Sequence, residues 1–258
     1  MDLGLRDKVA IVTGSSNGIG REIALALAAE GCRVVLCARG AERLADAAAA
    51  VRERGAEALP LQLDVTDPAG AAELVAATER QWGRVDVLVN NVGANRRKPF
   101  AETTDEDWQV VLDANLNAHV RVTRLVAARM VAQRAGSIVF VSSIFGREAG
   151  GPGLSLYNTT KSALISLAKI LSLELAPHGV RVNSVAPGSI RFPGSSWDRR
   201  VAADPAGMEE FVRQNLPIGR FGTPQEVADV VAFLASERAS LVTGACLNVD
   251  GGQSRSLI

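Results

Sequence analysis

Short apolar runs rich in β-branched residues alternate along the chain with longer segments whose apolar positions recur every three or four residues. KVAIVT is followed by GIGREIALALAAEG, then RVVLCA, ERLADAAAAVRERG and LPLQLD. The alternation continues through VDVLVN, GSIVFVS and VRVNSVA to a last short run, ACLNVD. The short runs predict strands and the segments between them predict helices. Because the strand runs are apolar almost throughout, both of their faces are expected to be buried, which is the condition of a parallel sheet. The chain is therefore read as α/β, a doubly wound and mostly parallel sheet of about seven strands with helices on both faces. No linker, repeat or low-complexity tract interrupts the pattern, so residues 1–258 are expected to form one domain.

Composition narrows the class without changing it. The 258 residues carry 28 basic and 28 acidic side chains, so no charge excess points to nucleic acid as a partner. No apolar stretch reaches the roughly 18 residues of a membrane span, and the N-terminal MDLGLRDKVAIVTG lacks the features of an export signal. A cytoplasmic location is expected. Cys32, Cys37 and Cys246 have no metal-ligand spacing and read as reduced thiols used as small apolar residues. His119 and His178 lie far apart, so neither is expected to be catalytic and no metal is expected.

In open parallel sheets ligands bind beyond the carboxyl ends of the strands, and the chemically informative residues lie there. TGSSNGIG, after the first strand, puts Gly14, Gly18 and Gly20 in a strand-to-helix turn where backbone N–H groups can meet a phosphate. The spacing is GxxxGxG rather than GxGxxG, and taken alone a plain turn remains open. YNTTK contains the only tyrosine, Tyr157, four residues before Lys161 and on the same helix face. That lysine could favour the phenolate, or the pair could be a half-buried tyrosine beside a solvated lysine.

Together TGSSNGIG, NNVG at 90–93 and YNTTK, in this order and spacing, resemble the short-chain dehydrogenase/reductase family, over essentially Lys8 to Gly252. The resemblance implies a Rossmann fold and hydride transfer between a nicotinamide cofactor and a carbonyl or alcohol. It implies Tyr157 as proton donor and Lys161 as both its electrostatic partner and a ribose ligand. One of the adjacent serines Ser142 and Ser143 should hold the substrate oxygen; aligning Gly146 with the family's glycine selects Ser143. Asn115, in DANLNAH, resembles the asparagine whose backbone carbonyl kinks a helix and anchors a water on the lysine.

For the cofactor the likeness implies contacts from Gly14, Ser16, Asn17, Gly18, Ile19 and Gly20 in the glycine turn, and from Asp64 and Val65 around adenine. Asn90 should lie over the adenosine ribose, with Gly93 closing the same turn, and Pro187, Gly188 and Ile190 should flank the carboxamide. Ala38-Arg39, at the end of the second strand, has a basic residue and no acid, so NADP(H) is expected in preference to NAD(H). Phe192 stands where relatives usually place a hydroxyl residue. Residues 188–216 are expected to form a substrate lid, with Phe192, Trp197 and Phe211 on its apolar underside, while Phe145 and Arg96, within Arg96-Arg97-Lys98, are expected near the substrate. The resemblance also implies a homotetramer and, most closely, the 3-oxoacyl-carrier-protein reductase branch. Two alternatives stay open: an NAD-dependent sugar or secondary-alcohol dehydrogenase, and a non-catalytic protein that senses the cofactor.

Overall fold

A computed structural model describes residues 2–257. Its strands are β1 (Val9–Thr13), β2 (Arg33–Ala38), β3 (Ala58–Gln62), β4 (Val87–Asn90), β5 (Gly136–Val141), β6 (Val180–Pro187) and β7 (Cys246–Val249). All pair in parallel in the order β3-β2-β1-β4-β5-β6-β7. The order reverses between β1 and β4, and a crevice opens at their carboxyl ends.

Strand alternation divides the core. On β1, Ala10 and Val12 face one side and Ile11 the other; on β2, Val34 and Leu36 oppose Val35 and Cys37. The first side is covered by α1 (Gly18–Ala29), α2 (Ala41–Glu53) and α9 (Pro224–Ala235). The second is covered by α3 (Pro68–Trp82), α5 (Ala118–Gln133) and α6 (Ser155–Leu175). Helix starts are set by local chemistry: Asn17 accepts from the Gly18 N–H, Asp67 caps α3 ahead of Pro68, and Thr223 and Glu226 form a reciprocal box at α9.

Two departures from this regular layering lie beside the crevice. Between α4 (Asp105–Leu112) and α5 the chain makes a π-helical turn, Asp113–Asn117, which widens the backbone and removes it from the α-helical ladder. Between β6 and α9, α7 (Ser196–Ala203) and α8 (Pro205–Asn215) stand outside the sheet layers. Trp197, Phe211 and Phe221 hold this segment together, with the Trp197 and Phe211 rings stacked at 4.9 Å.

Candidate active site

The turn after β1 is shaped for close backbone approach. Gly14 and Gly18 have φ of +65° and +55°, which side-chain-bearing residues rarely adopt. A Cβ on Gly20 would lie 2.3 Å from the Gly14 carbonyl oxygen, so only glycine lets α1 start this close to the turn. Asn91 ties the turn to β4 through its side-chain amide, which donates to the carbonyls of Thr13 and Gly14. Ser16, Asn17 and Ile19 follow on the same turn, with the Asn17 side-chain oxygen Oδ1 accepting from the Gly18 N–H to cap α1.

Across the crevice, the adjacent serines Ser142 and Ser143 directly follow β5. Because neighbouring strand residues point in opposite directions, only one can face the tyrosine. Ser142 is turned inward and donates to the Lys161 carbonyl at 2.8 Å, while Ser143 hydrogen-bonds with the Tyr157 phenol. The structure thus places Ser143 beside Tyr157. Lys161, one turn along α6, is buried; its Nζ donates to the Val141 carbonyl at 2.8 Å and lies 5.8 Å from the centre of the Tyr157 ring. Burial pushes the Tyr157 phenol above its ordinary pKa, against a smaller lowering by the Ser143 bond, and brings Lys161 down to about 8.

Asn115 lies in the π-helical turn and ties three elements together. Its Oδ1 accepts from the Ala94 N–H at 2.6 Å, and its Nδ2 donates to the Ala94 carbonyl and to Thr160 Oγ1, both at 2.9 Å. Thr160, one residue before Lys161, is thereby part of the support; nothing in the spacing of YNTTK distinguishes it from Thr159. Gly93 brings this loop against both groups, since a Cβ there would lie 3.5 Å from Asn115 Oδ1 and 3.6 Å from Lys161 Nζ. His119 is enclosed beneath, its Nε2 donating to the Val92 carbonyl at 2.8 Å. Burial, then the Lys161 charge, lower it to about 3, so it is neutral and packs as a polar core residue.

A cavity of about 370 Å³ adjoins the glycine turn and is lined by Ile19, Gly93, Tyr157, Lys161, Pro187, Gly188 and Ile190. Ser143, Tyr157 and Trp197 open from it into a larger cavity of about 970 Å³, also lined by Phe145 and Phe211. At the far end of the crevice Arg39 Nη1 lies 3.8 Å from Asp64 Oδ2. Burial works to raise the Asp64 pKa, but hydrogen bonds from Thr66 and the Arg39 charge hold it below the usual carboxylate value. Val65 beside it is buried against the core.

Three expectations from sequence are corrected. Asn90 is wholly enclosed and its amide donates to Thr123 Oγ1, so its side chain braces β4 against α5 rather than reaching over a ribose. Arg96 does not line the substrate cavity. It and Lys98 both bind the buried carboxylate of Asp107, which leaves Arg97 as the member of the basic trio on the cavity wall. Phe192 packs on the glycine turn, where a Cβ on Gly18 would lie 2.5 Å from its ring, and it lines the smaller cavity rather than the larger.

Known proteins are similar to this chain in sequence and in fold. A family model described as Enoyl-(Acyl carrier protein) reductase matches residues 14–254. The 3-oxoacyl-(acyl-carrier-protein) reductase of Thermotoga maritima is 38% identical over 248 residues, covering 96% of this chain and 98% of its own. L-sorbose reductase from Gluconobacter frateurii, solved in complex with NADPH and L-sorbose, superposes with a TM-score of 0.94 at 35% identity, with both chains fully covered. NAD+-bound xylitol dehydrogenase superposes with a TM-score of 0.90 at 33% identity, over 98% of this chain and all of that one. With a tyrosine, serine and buried lysine set beside a glycine turn at the sheet's crevice, the chain belongs to the short-chain dehydrogenase/reductase family of nicotinamide-dependent oxidoreductases.

Proposed function

We propose that the protein is a carbonyl reductase of 3-oxoacyl-like ketones, reversible as an alcohol dehydrogenase, with NADP(H) preferred. The observation that carries the chemistry is the Ser143–Tyr157 pair facing two joined cavities, with Lys161 buried behind it. The turn fits a dinucleotide because Gly20, whose Cβ would collide with the Gly14 carbonyl, lets α1 start against the turn, and because Gly14 and Gly18 take positive φ and leave its backbone without side chains there. Gly14, Ser16, Asn17, Gly18, Ile19 and Gly20 would hold its pyrophosphate side, Asp64 and Val65 its adenine, and Gly93, Lys161, Pro187, Gly188 and Ile190 its nicotinamide end. When bound, the cofactor supplies or accepts the hydride.

The chain's own residues handle the charge. Reduction builds negative charge on the carbonyl oxygen, which needs a proton and a preorganised donor. Tyr157 gives the proton and Ser143 donates the second hydrogen bond. Burial keeps the proton on the phenol until that charge develops, and the nearby Lys161 ammonium then stabilises the phenolate left behind. Asn115 and Thr160 fix the loop and helix that place the lysine. The segment 188–216, through Trp197 and Phe211 on the wall of the larger cavity, acts as the lid that excludes water.

NADP(H) preference is supported by Ala38 and Arg39 at the end of β2, where no carboxylate repels a 2′-phosphate and an exposed guanidinium can pair with it. Arg39 already shares Asp64, which moderates the gain. Assayed with both cofactors against 3-oxoacyl thioesters, diketones, quinones, sugars and secondary alcohols, the enzyme is expected to favour the thioesters and NADPH. The cofactor ratio should be on the order of tenfold to a hundredfold, as one or two charge-assisted contacts give, and Ala38→Asp with Arg39→Ile should reverse it. Turnover confined to sugars or secondary alcohols with NAD would establish a dehydrogenase instead.

We also propose a homotetramer. Ile170 and Leu173 on α6 are 50% and 64% exposed, and Val110 on α4 and Val120 on α5 are open as well. Exposed apolar side chains gathered on helices commonly mark interfaces, and closed two-fold assemblies are the usual outcome. Light scattering at micromolar concentration should return about four chain masses; a monomeric mass would count against the assembly.

A further inference from the structure

The larger cavity carries an uneven charge. Arg97 from the loop after β4, Arg200 from α7 and Arg255 from the C-terminal tail all line it, and none forms an ion pair among the described residues. Arg97 Nε donates only to the Pro152 carbonyl at 3.3 Å, and the Arg200 guanidinium lies over the Trp197 ring at 4.8 Å. Arg199 adds a fourth guanidinium to the wall, where it donates to the Gly194 carbonyl and helps hold the Asp198 carboxyl down. Glu148 is the one carboxylate lining the cavity among the described residues. Its Oε2 is taken up by the Ser254 hydroxyl and by the N–H groups of Arg255 and Ser256, so the carboxylate anchors the tail that brings Arg255 in.

The contrast with the neighbouring surface is informative. Away from this cavity the arginines of the same region are paired: Arg191 with Asp198, Arg213 with Glu210, and Arg220 with Glu226. Arg96 and Lys98 are likewise paired, through Asp107. An ordinary solvated surface mixes the two signs, as these do. On the wall shared with Tyr157 and Ser143, cations from three distant parts of the chain meet a single carboxylate, Glu148, which is bonded to the tail rather than ion-paired with any of them among the described residues. Low-dielectric walls of one sign concentrate counter-ions, and a guanidinium fork binds carboxylate or phosphate bidentately.

We propose that the enzyme selects carbonyl substrates that also carry an anionic group, a carboxylate or a phosphate, bound by Arg97, Arg200 and Arg255. This rests on the reductase reading above. Two matched pairs test it: a small keto acid against its methyl ester, and 3-oxobutanoyl phosphopantetheine against its uncharged N-acetylcysteamine thioester. In one pair kcat/KM should favour the charged member by about tenfold or more, the effect of losing a charge-assisted contact. The pair that responds identifies the group as carboxylate or phosphate. Arg97→Gln with Arg255→Gln should raise KM for that charged member about tenfold and leave its neutral counterpart unchanged. Equal kcat/KM within both pairs would overturn the proposal. If no compound is turned over, the reductase reading fails, and the same pairs are compared by tryptophan fluorescence titration. Tighter binding of a charged member that Arg97→Gln with Arg255→Gln abolishes would then support the anion site, and equal affinities would overturn it.

Discussion

Tyr157→Phe is expected to lower turnover by at least about a hundredfold, the low end for loss of a general acid. The substitution keeps the ring and removes only the phenolic oxygen, which bonds to Ser143. Packing around α6 should therefore survive, and cofactor affinity, read by fluorescence titration, should stay nearly unchanged. The loss belongs to the proton: without it, charge on the substrate oxygen is met by Ser143 alone, whose hydroxyl donates a hydrogen bond but is a far weaker acid than the phenol. Turnover comparable to the parent would remove Tyr157 from the mechanism. A loss of cofactor affinity equal to the loss of rate would instead assign the phenol to binding.

Much of the fold was legible because its signals are local. Each of the seven strands coincides with a short apolar run to within one residue, β3 starting one residue before its run and β6 ending one residue after, and caps such as Asp67-Pro68 and Thr223-x-x-Glu226 mark helix starts in the sequence itself. Much of the site was legible because the motifs sit at strand ends, where a parallel sheet gathers its chemistry. What stayed hidden depends on distant partners. Arg96, Arg97 and Lys98 are equivalent in sequence until the buried Asp107 carboxylate captures two of them. Ser142 and Ser143 differ only in which side of β5 they leave, and Lys161 sits nineteen residues on from the serine it receives. Asn90 and Asn91 are likewise separated by pleat: one enters the core to Thr123 and the other reaches the glycine turn. Glu148 clasps Ser254 across 106 residues, which no periodicity could announce.

Lys161→Met should depress both turnover and cofactor affinity, because one buried ammonium is assigned two tasks, stabilising the Tyr157 phenolate and holding the nicotinamide ribose. The expected loss in turnover is again about a hundredfold or more, since stabilising phenolate by three pKa units is worth about 4 kcal/mol. The same variant gives a readout without substrate. Burial holds the folded Lys161 at about 8, below its ordinary value of 10.5, so between those values the unfolded chain binds more protons than the folded one. Stability of the parent must therefore rise with pH through that window relative to the variant, because the penalty for a buried charge is present below about 8 and is relieved as the proton leaves. Paired thermal melts from pH 7 to pH 10 should show the difference between parent and variant shifting in the parent's favour. Parallel pH profiles would mean that the ammonium is solvated and that its effect on the phenol is screened. Lost turnover with unchanged cofactor affinity would leave Lys161 with the phenolate alone and assign the ribose contact to another group.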